Sequence, residues 1–233
     1  MLLQSIGIEQ ATVAGDTRFD RVAKVVQEAP SNELANEFKG QHKVMVIGSA
    51  WPEDMHILIP FMNSQVGKMK FIVAPHEISE SFMSSIEGAF TGRTMRYLQG
   101  RMELAASADL LMVDTIGLLA QLYRYGEFAF VGGGFKQGLH NTLEAACYGI
   151  PVFFGGTAPY DRYQEAIDLV ALKGAFAITN TDELANCYEQ LAKDPEAYRR
   201  ASSACGLYVK ENQGATGRIT EYLVQILNAW KAE

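Results

Sequence analysis

The feature that most constrains the fold is the alternation of short apolar runs with longer segments of helical periodicity. The runs at 43–47, 70–74 and 128–131 are almost wholly apolar and lack the strict apolar–polar alternation of a half-buried strand. Strands of this kind are buried on both faces, which is typical of a parallel sheet covered by helices. Because the connections are short, the pattern predicts an α/β fold with a Rossmann-like, doubly wound parallel sheet.

The pattern predicts the following elements along a single domain of residues 1–233. A short helix at Leu2–Ile8 leads into the first strand. The predicted strands cover 11–14, 43–47, 70–74, 110–113, 128–131, 151–154 and 175–179. The predicted helices cover 19–28, 54–65, 79–88, 117–125, 143–148, 162–172 and 182–193, and a tail from Pro195 onward is helical only.

Composition excludes several classes of protein. With 233 residues, 48% hydrophobic and 20% charged, the chain can bury a core and is not intrinsically disordered. Its net charge of −7, with no basic run, argues against non-specific nucleic-acid binding. Three cysteines without a CxxC pair or a metal-ligand spacing indicate reduced thiols and no metal site. No apolar stretch is long enough to cross a membrane, and the N-terminus lacks the features of a signal peptide.

Small and polar residues follow most of the predicted strands. In open α/β sheets ligands bind at the carboxyl ends of the strands, so these residues predict a ligand site at one edge of the sheet. The segments are Gly15–Arg18, Gly48–Trp51, Pro75–Glu77, Asp114–Gly117, Gly132–Asn141 and Gly155–Gly156.

The most informative of these segments runs from Phe130 to Glu144 and contains three successive glycines, Gly132 to Gly134. Glycines let a backbone approach a ligand closely, and a helix beginning near His140 or Asn141 offers free N–H groups to an anion. Asn141 and Glu144 share a helical face, where a carboxylate can accept hydrogen bonds from ribose hydroxyls. The alternative is an ordinary strand-to-loop turn, with an acid favoured by the helix dipole.

Four further side chains permit two interpretations each. Lys136 lies in the glycine loop, where its charge can approach a phosphate or carboxylate or be solvated. His76 follows a strand and a proline, so it can contact a ligand or be an ordinary loop histidine. Asp16 and Arg18 can form a local ion pair or face the ligand.

Several catalytic motifs are missing from the sequence. It has no GxxxxGK[ST], no GxGxxG after the first strand, no HExxH and no GxSxG, which disfavours a P-loop enzyme, an NAD-binding enzyme, a zinc protease and an α/β-hydrolase. No pair of carboxylates stands out as a general acid and base. The residues therefore predict a site for a nucleotide-like anion without a catalytic base.

Four blocks of sequence resemble the 3-deoxy-D-manno-octulosonic acid (Kdo) transferases of lipopolysaccharide synthesis. They are Ala14–Arg21 (AGDTRFDR), Asp114–Gly117 (DTIG), Ala129–Ala145 (AFVGGGF…GLHNTLEA) and Gly149–Gly155 (GIPVFFG). The similarity covers almost all of this chain but only the C-terminal half of the family's protein. The His-Asn-x-Leu-Glu pattern alone is shared more loosely among two-domain glycosyltransferases of the GT-B type.

The resemblance implies that the chain is the C-terminal, nucleotide-sugar (donor) binding domain of a GT-B glycosyltransferase. The donor substrate would be CMP-Kdo and the acceptor a lipid A precursor, bound through an N-terminal domain absent from this chain. Transfer would invert the anomeric centre without a metal or other cofactor. The base would be an acid of that absent domain, so no catalytic residue is expected here. Such an enzyme acts at the cytoplasmic face of the bacterial inner membrane, whereas this chain alone would be soluble and cytoplasmic.

By the same resemblance, Pro75 and His76 would lie near the cytidine and Thr115 to Gly117 near the base or phosphate, while His140, Asn141 and Glu144 would hold the phosphate and ribose. The predicted substrate-binding residues are Ser49, Pro75, His76, Thr115, Ile116, Gly117, Gly133, Gly134, Lys136, His140, Asn141 and Glu144. The chain departs from the family at Pro75 and Leu118, where many members have Arg and Glu.

Two other functions fit the same residues. The loose His-Asn-x-Leu-Glu pattern also suits another GT-B transferase or sugar-nucleotide enzyme that uses a UDP-sugar. Because the chain offers no catalytic base, a non-catalytic nucleotide-binding module fits as well.

Overall fold

In the computed structural model, which describes residues 2–232, seven parallel strands form one sheet. The strands are β1 (Lys43–Ala50), β2 (Met69–Pro75), β3 (Thr94–Arg96), β4 (Leu110–Met112), β5 (Phe128–Val131), β6 (Val152–Gly155) and β7 (Ala175–Ile178). Their order is β3-β4-β2-β1-β5-β6-β7, and each neighbouring pair is parallel. The fold class predicted from the sequence is therefore confirmed.

Helices connect the strands and cover both faces of the sheet. They are α1 (Leu2–Ser5), α2 (Thr17–Glu28), α3 (Glu33–Lys39), α4 (Pro52–Ser64), α5 (Glu80–Ala89), α6 (Met102–Ala105), α7 (Leu119–Leu122), α8 (Leu143–Ala146), α9 (Gln164–Ala171), α10 (Thr181–Lys193), α11 (Pro195–Glu211) and α12 (Ala215–Ala232). A 3₁₀ turn, Tyr123–Tyr125, follows α7. The tail after Pro195 is helical, as predicted. No helix within residues 2–232 has both the length and the apolarity needed to cross a membrane.

The sheet separates two cores, one on each face, and the central strands contribute side chains to both. In β1, Val44 and Val46 lie in the core beneath α2, α3, α8, α9 and α11. Met45 and Ile47 lie in the opposite core, beneath α4, α5 and α10. All four side chains are fully buried, which explains why the strand sequences are apolar throughout rather than alternating.

The sheet has a topological switch point between β1 and β5. From β1 the chain moves outward through β2 to β4 and β3, whereas from β5 it moves the other way through β6 to β7. The chain after β1 therefore enters α4 on one face of the sheet, whereas the chain after β5 enters α8 on the other face. We call the carboxyl edge between these two strands the crevice. Open α/β sheets bind their ligands at such a crevice.

The predicted first strand at 11–14 was wrong. The segment is extended but pairs with no strand, and Val13 is 76% exposed. It lies against α12 instead, where Arg218 Nε donates a hydrogen bond to the Ala14 carbonyl oxygen at 2.8 Å. A run of four small residues has too little apolar surface to specify a buried strand.

Candidate functional site

The end of β1 is strained where it reaches the crevice. Ser49 has a φ of 53°, and the register with β2 shifts between Gly48 and Ala50. A serine in this left-handed region is uncommon, and such strain clusters at functional sites. Ser49 is half-buried, and its hydroxyl makes no hydrogen bond with any described residue. The hydroxyl is therefore free to bond a ligand in the crevice.

The three glycines after β5 are required by contacts within the protein. A Cβ added at Gly132 would lie 2.1 Å from the Ser49 carbonyl oxygen, and one at Gly134 would lie 2.1 Å from the Gly155 carbonyl oxygen. Gly133 has a φ of 90°, and a Cβ there would lie 2.2 Å from the Gly138 carbonyl oxygen. The glycines thus let the loops after β1, β5 and β6 pack backbone against backbone. This close packing alone explains the run of glycines, without a ligand.

Asp54, in the first turn of α4, joins the two loops that line the crevice. Its Oδ2 accepts hydrogen bonds from the backbone N–H of Trp51 and from that of Gly133, both at 2.9 Å. The side chain is fully buried, and Oδ1 has no hydrogen-bond partner. Burial raises the pKa of Asp54 to about 6, although the two N–H donors oppose the shift. This carboxylate fixes the spacing of the two loops.

Three aromatic rings cluster beside these loops. Trp51, just after β1, stacks on His76 with ring centroids 4.2 Å apart, and His76 lies 4.5 Å from the ring of His140. The Trp51 Nε1–H donates to His140 Nε2 at 3.1 Å. Burial, with a smaller contribution from His76, lowers the pKa of His140. The cluster brings together two predicted site histidines, of which His76 is exposed and His140 half-buried.

Asn141 and Glu144 form a second group, at the start of α8. Two starts were predicted for this helix: the start near residue 140 was wrong, whereas the start at residue 143 is confirmed, because α8 runs from Leu143 to Ala146. The Asn141 Oδ1 accepts from the Leu143 N–H at 3.1 Å, and its amide donates to Glu144 Oε1 at 3.4 Å. Burial raises the pKa of Glu144, while Asn141 and the charge of Arg21 lower it in part.

Two adjoining hollows lie around Glu144. One, of about 140 Å³, is lined by Arg18, Arg21 and Asn141 together with apolar residues of α2. The other, of about 500 Å³, is shallower and also reaches Gly117. Gly117, in the loop after β4, and Glu144, at the start of α8, therefore line a common space.

The other predicted binding residues described next make no hydrogen bond with the side chains of Trp51, His140, Asn141 or Glu144 in the described part of the chain. Pro75 is buried at the end of β2, next to His76. Lys136 is exposed, and its Nζ pairs with Glu53 Oε1 at 3.0 Å, away from the glycine backbone. Thr115 is half-buried and Ile116 is 87% exposed, and neither makes a hydrogen bond with another described residue.

Asp16 and Arg18 form the local ion pair that was one of their two interpretations. Asp16 caps α2 and contacts Arg18 at 2.8 Å. The same guanidinium also makes two hydrogen bonds to the buried carboxylate of Glu165, in α9. The pair thus anchors α2 to α9, on the side of the first hollow.

Trp51 was predicted only as the last residue of the segment Gly48–Trp51 and not as a binding residue, and Asp54 was not predicted as part of the site at all. Trp51 is 89 positions from His140 and Asp54 is 79 positions from Gly133, so no local spacing could have joined them. The available signal was position: an aromatic side chain directly follows a strand, and an acid follows it in the first turn of the next helix. No group of three or more metal-ligating side chains occurs among the residues described.

Relatives of the chain are 3-deoxy-D-manno-octulosonic acid transferases. That of Rickettsia bellii is 27% identical over 198 residues, which cover 83% of this chain and 46% of the relative. That of Aquifex aeolicus is 24% identical over 217 residues, which cover 89% of this chain and 56% of the relative. That of Chlamydophila psittaci is 33% identical over 116 residues, covering 48% and 26%. The chain therefore spans about half the length of the curated relatives it matches. No protein-family model matches it.

Solved structures share the fold at low sequence identity. The C-terminal CMP-Kdo binding domain of WaaA from Acinetobacter baumannii superposes with a TM-score of 0.65 at 18% identity, covering 80% of this chain and 95% of that domain. The UDP-GlcNAc 2-epimerase from Neisseria meningitidis, bound to UDP-GlcNAc, superposes with a TM-score of 0.64 at 17% identity. The match covers 96% of this chain and 57% of the epimerase chain. The fold is thus that of one domain of larger enzymes. Taken with the sequence relatives, these similarities confirm that the chain is related to the C-terminal half of the Kdo transferases.

Proposed function

We propose that this chain is the donor-binding half of a glycosyltransferase that transfers Kdo from CMP-Kdo to a lipid A precursor. Residues 1–233 form the donor domain, and a separate N-terminal domain binds the acceptor and supplies the general base. Transfer inverts the anomeric centre and uses no metal or other cofactor. The complete enzyme contacts the cytoplasmic face of the bacterial inner membrane.

The observation that carries this proposal is the convergence of separate sequence blocks at the switch-point crevice. His76, which follows β2, and His140, which follows β5, lie with their rings 4.5 Å apart. Asn141 and Glu144 continue from His140, and Glu144 shares a hollow with Gly117. A half-buried carboxylate at the carboxyl edge of the sheet suits ribose hydroxyls. The similarity to Kdo transferases supports CMP as the nucleotide.

Calorimetry with CMP, UDP and NAD tests the proposal. We expect CMP to bind more tightly than UDP and NAD to show no binding. The same titrations in the presence of EDTA should give the same affinity for CMP if no metal takes part. Clearly tighter binding of UDP or NAD than of CMP would rule the proposal out.

A substitution at Glu144 tests the position of the nucleotide. Glu144→Ala should weaken CMP binding by about 1–3 kcal/mol, because a hydrogen bond from a ribose hydroxyl to a charged group is lost. Glu211→Ala is the matched control, since Glu211 is an exposed acid at the end of α11. Equal affinities of the two variants for CMP would show that Glu144 does not contact the nucleotide.

A UDP-sugar is the second candidate donor. The observation that favours it is the similarity of the fold to the UDP-GlcNAc 2-epimerase and to the S. aureus MnaA–UDP complex, whose TM-score is 0.64 at 15% identity. These likenesses concern the fold alone, whereas the relatives found by sequence are Kdo transferases. The comparison of CMP with UDP by calorimetry separates the two donors.

A further inference from the structure

The contact between Trp51 and His140 determines which nitrogen of His140 can carry a proton. An indole N–H can only donate a hydrogen bond, and the Trp51 Nε1–H points at His140 Nε2 at 3.1 Å. The Nε2 atom must therefore accept, so it carries no proton. A neutral imidazole has one N–H, which here has to be on Nδ1.

The same contact disfavours the charged form of His140. An imidazolium carries protons on both nitrogens, so its Nε2–H would face the indole N–H donor-to-donor. The surroundings act in the same direction, since burial and the neighbouring His76 lower the pKa of His140. His140 is thus a neutral side chain with a single donor at physiological pH.

The Nδ1 atom of His140 is free to bond a ligand. It makes no hydrogen bond with any described residue, and it is not among the buried polar atoms without a partner. The opposite side of the ring faces the glycine loop, because a Cβ added at Gly133 would lie 3.1 Å from Cδ2 of His140. The donor therefore lies on the side of the ring away from that loop.

We propose that Trp51 is a positioning residue that holds His140 in the neutral tautomer protonated on Nδ1, so that His140 presents an N–H donor to the phosphate of the bound nucleotide. The inference rests on the proposed nucleotide site and adds a role for a residue that the sequence patterns did not mark as a binding residue. A phosphate oxygen only accepts hydrogen bonds, so a histidine in the other tautomer would present a lone pair to it.

Nuclear magnetic resonance tests the tautomer without any ligand. The chain has four histidines, and the His140 ring signals are assigned by their loss in His140→Asn. Two-bond proton–nitrogen correlations of ¹⁵N-labelled protein at pH 8 should show His140 protonated on Nδ1. In Trp51→Phe, which keeps an aromatic ring beside His76 but removes the indole donor, the two tautomers should become mixed. An Nε2-protonated His140 in the wild-type chain would overturn the proposal.

Calorimetry with CMP and cytidine tests the phosphate contact. His140→Asn places an N–H donor near the position of Nδ1, whereas His140→Gln places its amide near Nε2, where it faces Trp51. We expect the Asn variant to bind CMP about tenfold more tightly than the Gln variant, the effect of one hydrogen bond to a charged group. Trp51→Phe should weaken CMP binding by about three- to tenfold, because only part of the His140 population remains in the competent tautomer.

Cytidine lacks the phosphate, so its binding depends only on the contacts of the base and the ribose. The Asn and Gln variants should bind cytidine with similar affinity. Equal CMP affinities of these two variants, or an equally large difference with cytidine, would overturn the role assigned to His140. If the wild-type chain bound neither compound, the proposed function would fail, while the tautomer measurement would still decide the role of Trp51. If circular dichroism shows that Trp51→Phe does not fold, the comparison of His140→Asn with His140→Gln decides whether the Nδ1 side of His140 contacts the phosphate.

Discussion

At the scale of single residues, Asp54 combines burial with an ionisable group at the centre of the site. Its Oδ2 accepts hydrogen bonds from the backbone N–H groups of Trp51 and Gly133, and its Oδ1 has no hydrogen-bond partner. Because burial disfavours the charged form, the pKa rises from 3.8 to about 6. The folded chain therefore holds this proton more tightly than the unfolded chain does.

The raised pKa of Asp54 predicts a pH dependence of stability. The contribution of this carboxyl is greatest below pH 4, and it falls as the pH rises towards 6 by about 3 kcal/mol in total, since one pKa unit corresponds to about 1.4 kcal/mol. Asp54→Asn removes the titration but keeps an oxygen that can accept the two N–H groups. We expect the difference in unfolding free energy between pH 4 and pH 7, measured by urea titration, to change by about that amount in the variant.

The control for this measurement is Asp182→Asn, in the exposed first turn of α10. It removes an exposed carboxyl with the same change of charge, so an effect confined to Asp54→Asn is due to the buried position. Identical profiles for Asp54→Asn and the wild type would show that Asp54 titrates in the folded state as it does in water.

How much of the site could be predicted depends on how far apart its residues are in the chain. Asn141 and Glu144 were found because three positions along the chain are enough to bring them together. Ser49 and His76 were predicted because Ser49 lies at the carboxyl end of β1 and His76 directly follows β2. Trp51 and His140 meet only because β1 and β5 are neighbours in the sheet, and the sequence alone does not specify that pairing.

At the scale of elements, the first block of the family resemblance fastens α2 to the C-terminal helix. Asp20, in the first turn of α2, accepts hydrogen bonds from the backbone N–H of Gly214 at 2.5 Å and of Thr216 at 2.7 Å. These N–H groups begin α12, so Asp20 caps that helix from a distant part of the chain. The two donors lower the pKa of Asp20.

This cap predicts a local effect of substitution. Asp20→Ala should increase the rate of amide hydrogen exchange in α12 and lower the stability of the chain by about 1 kcal/mol, the usual cost of losing a capping side chain. Asp194→Ala is the matched control, because Asp194 caps α11 through the N–H groups of Glu196 and Ala197. Its effect should appear in α11. Unchanged exchange in α12 of the Asp20 variant would contradict the cap.

The elements that the sequence predicted are those with enough apolar residues to show a period. The strands at 43–47, 70–74 and 128–131 correspond to β1, β2 and β5. The strand β3 was missed because only Met95 of its three residues is buried, so it leaves no apolar run. The helix α3 was missed because its seven residues bury only two side chains, Ala35 and Phe38.

At the scale of the whole molecule, the doubly wound architecture follows from β1, β2 and β5, whose runs at 43–47, 70–74 and 128–131 are almost wholly apolar. The strand order does not follow from the sequence, because the outward steps from β1 and β5 depend on which strands pair. Once the order is known, the crevice between β1 and β5 is determined, and Ser49, Trp51 and His140 lie around it. The site is thus a property of the assembled sheet and not of any one motif.

This architecture predicts that the purified chain binds CMP-Kdo but does not transfer Kdo. The acids at the crevice have other roles: Asp54 is fully buried, Glu53 pairs with Lys136, and Glu144 faces the proposed ribose position. A positioned general base contributes about 10² to 10⁴ in rate, and the alignment of two substrates contributes more. Because the proposed function assigns the base and the acceptor to a separate N-terminal domain, we expect no turnover by this chain alone.

The assay combines the chain, CMP-Kdo and a lipid A precursor, with the complete transferase of Aquifex aeolicus as the positive control. Binding of CMP-Kdo is measured separately to establish that the donor site is formed, so that a lack of transfer is not due to misfolding of this chain. Transfer of Kdo by the chain alone, above the background without protein, would mean that the base and the acceptor surface lie within these 233 residues. The division of the reaction between two domains would then be wrong, even if the donor site were correct.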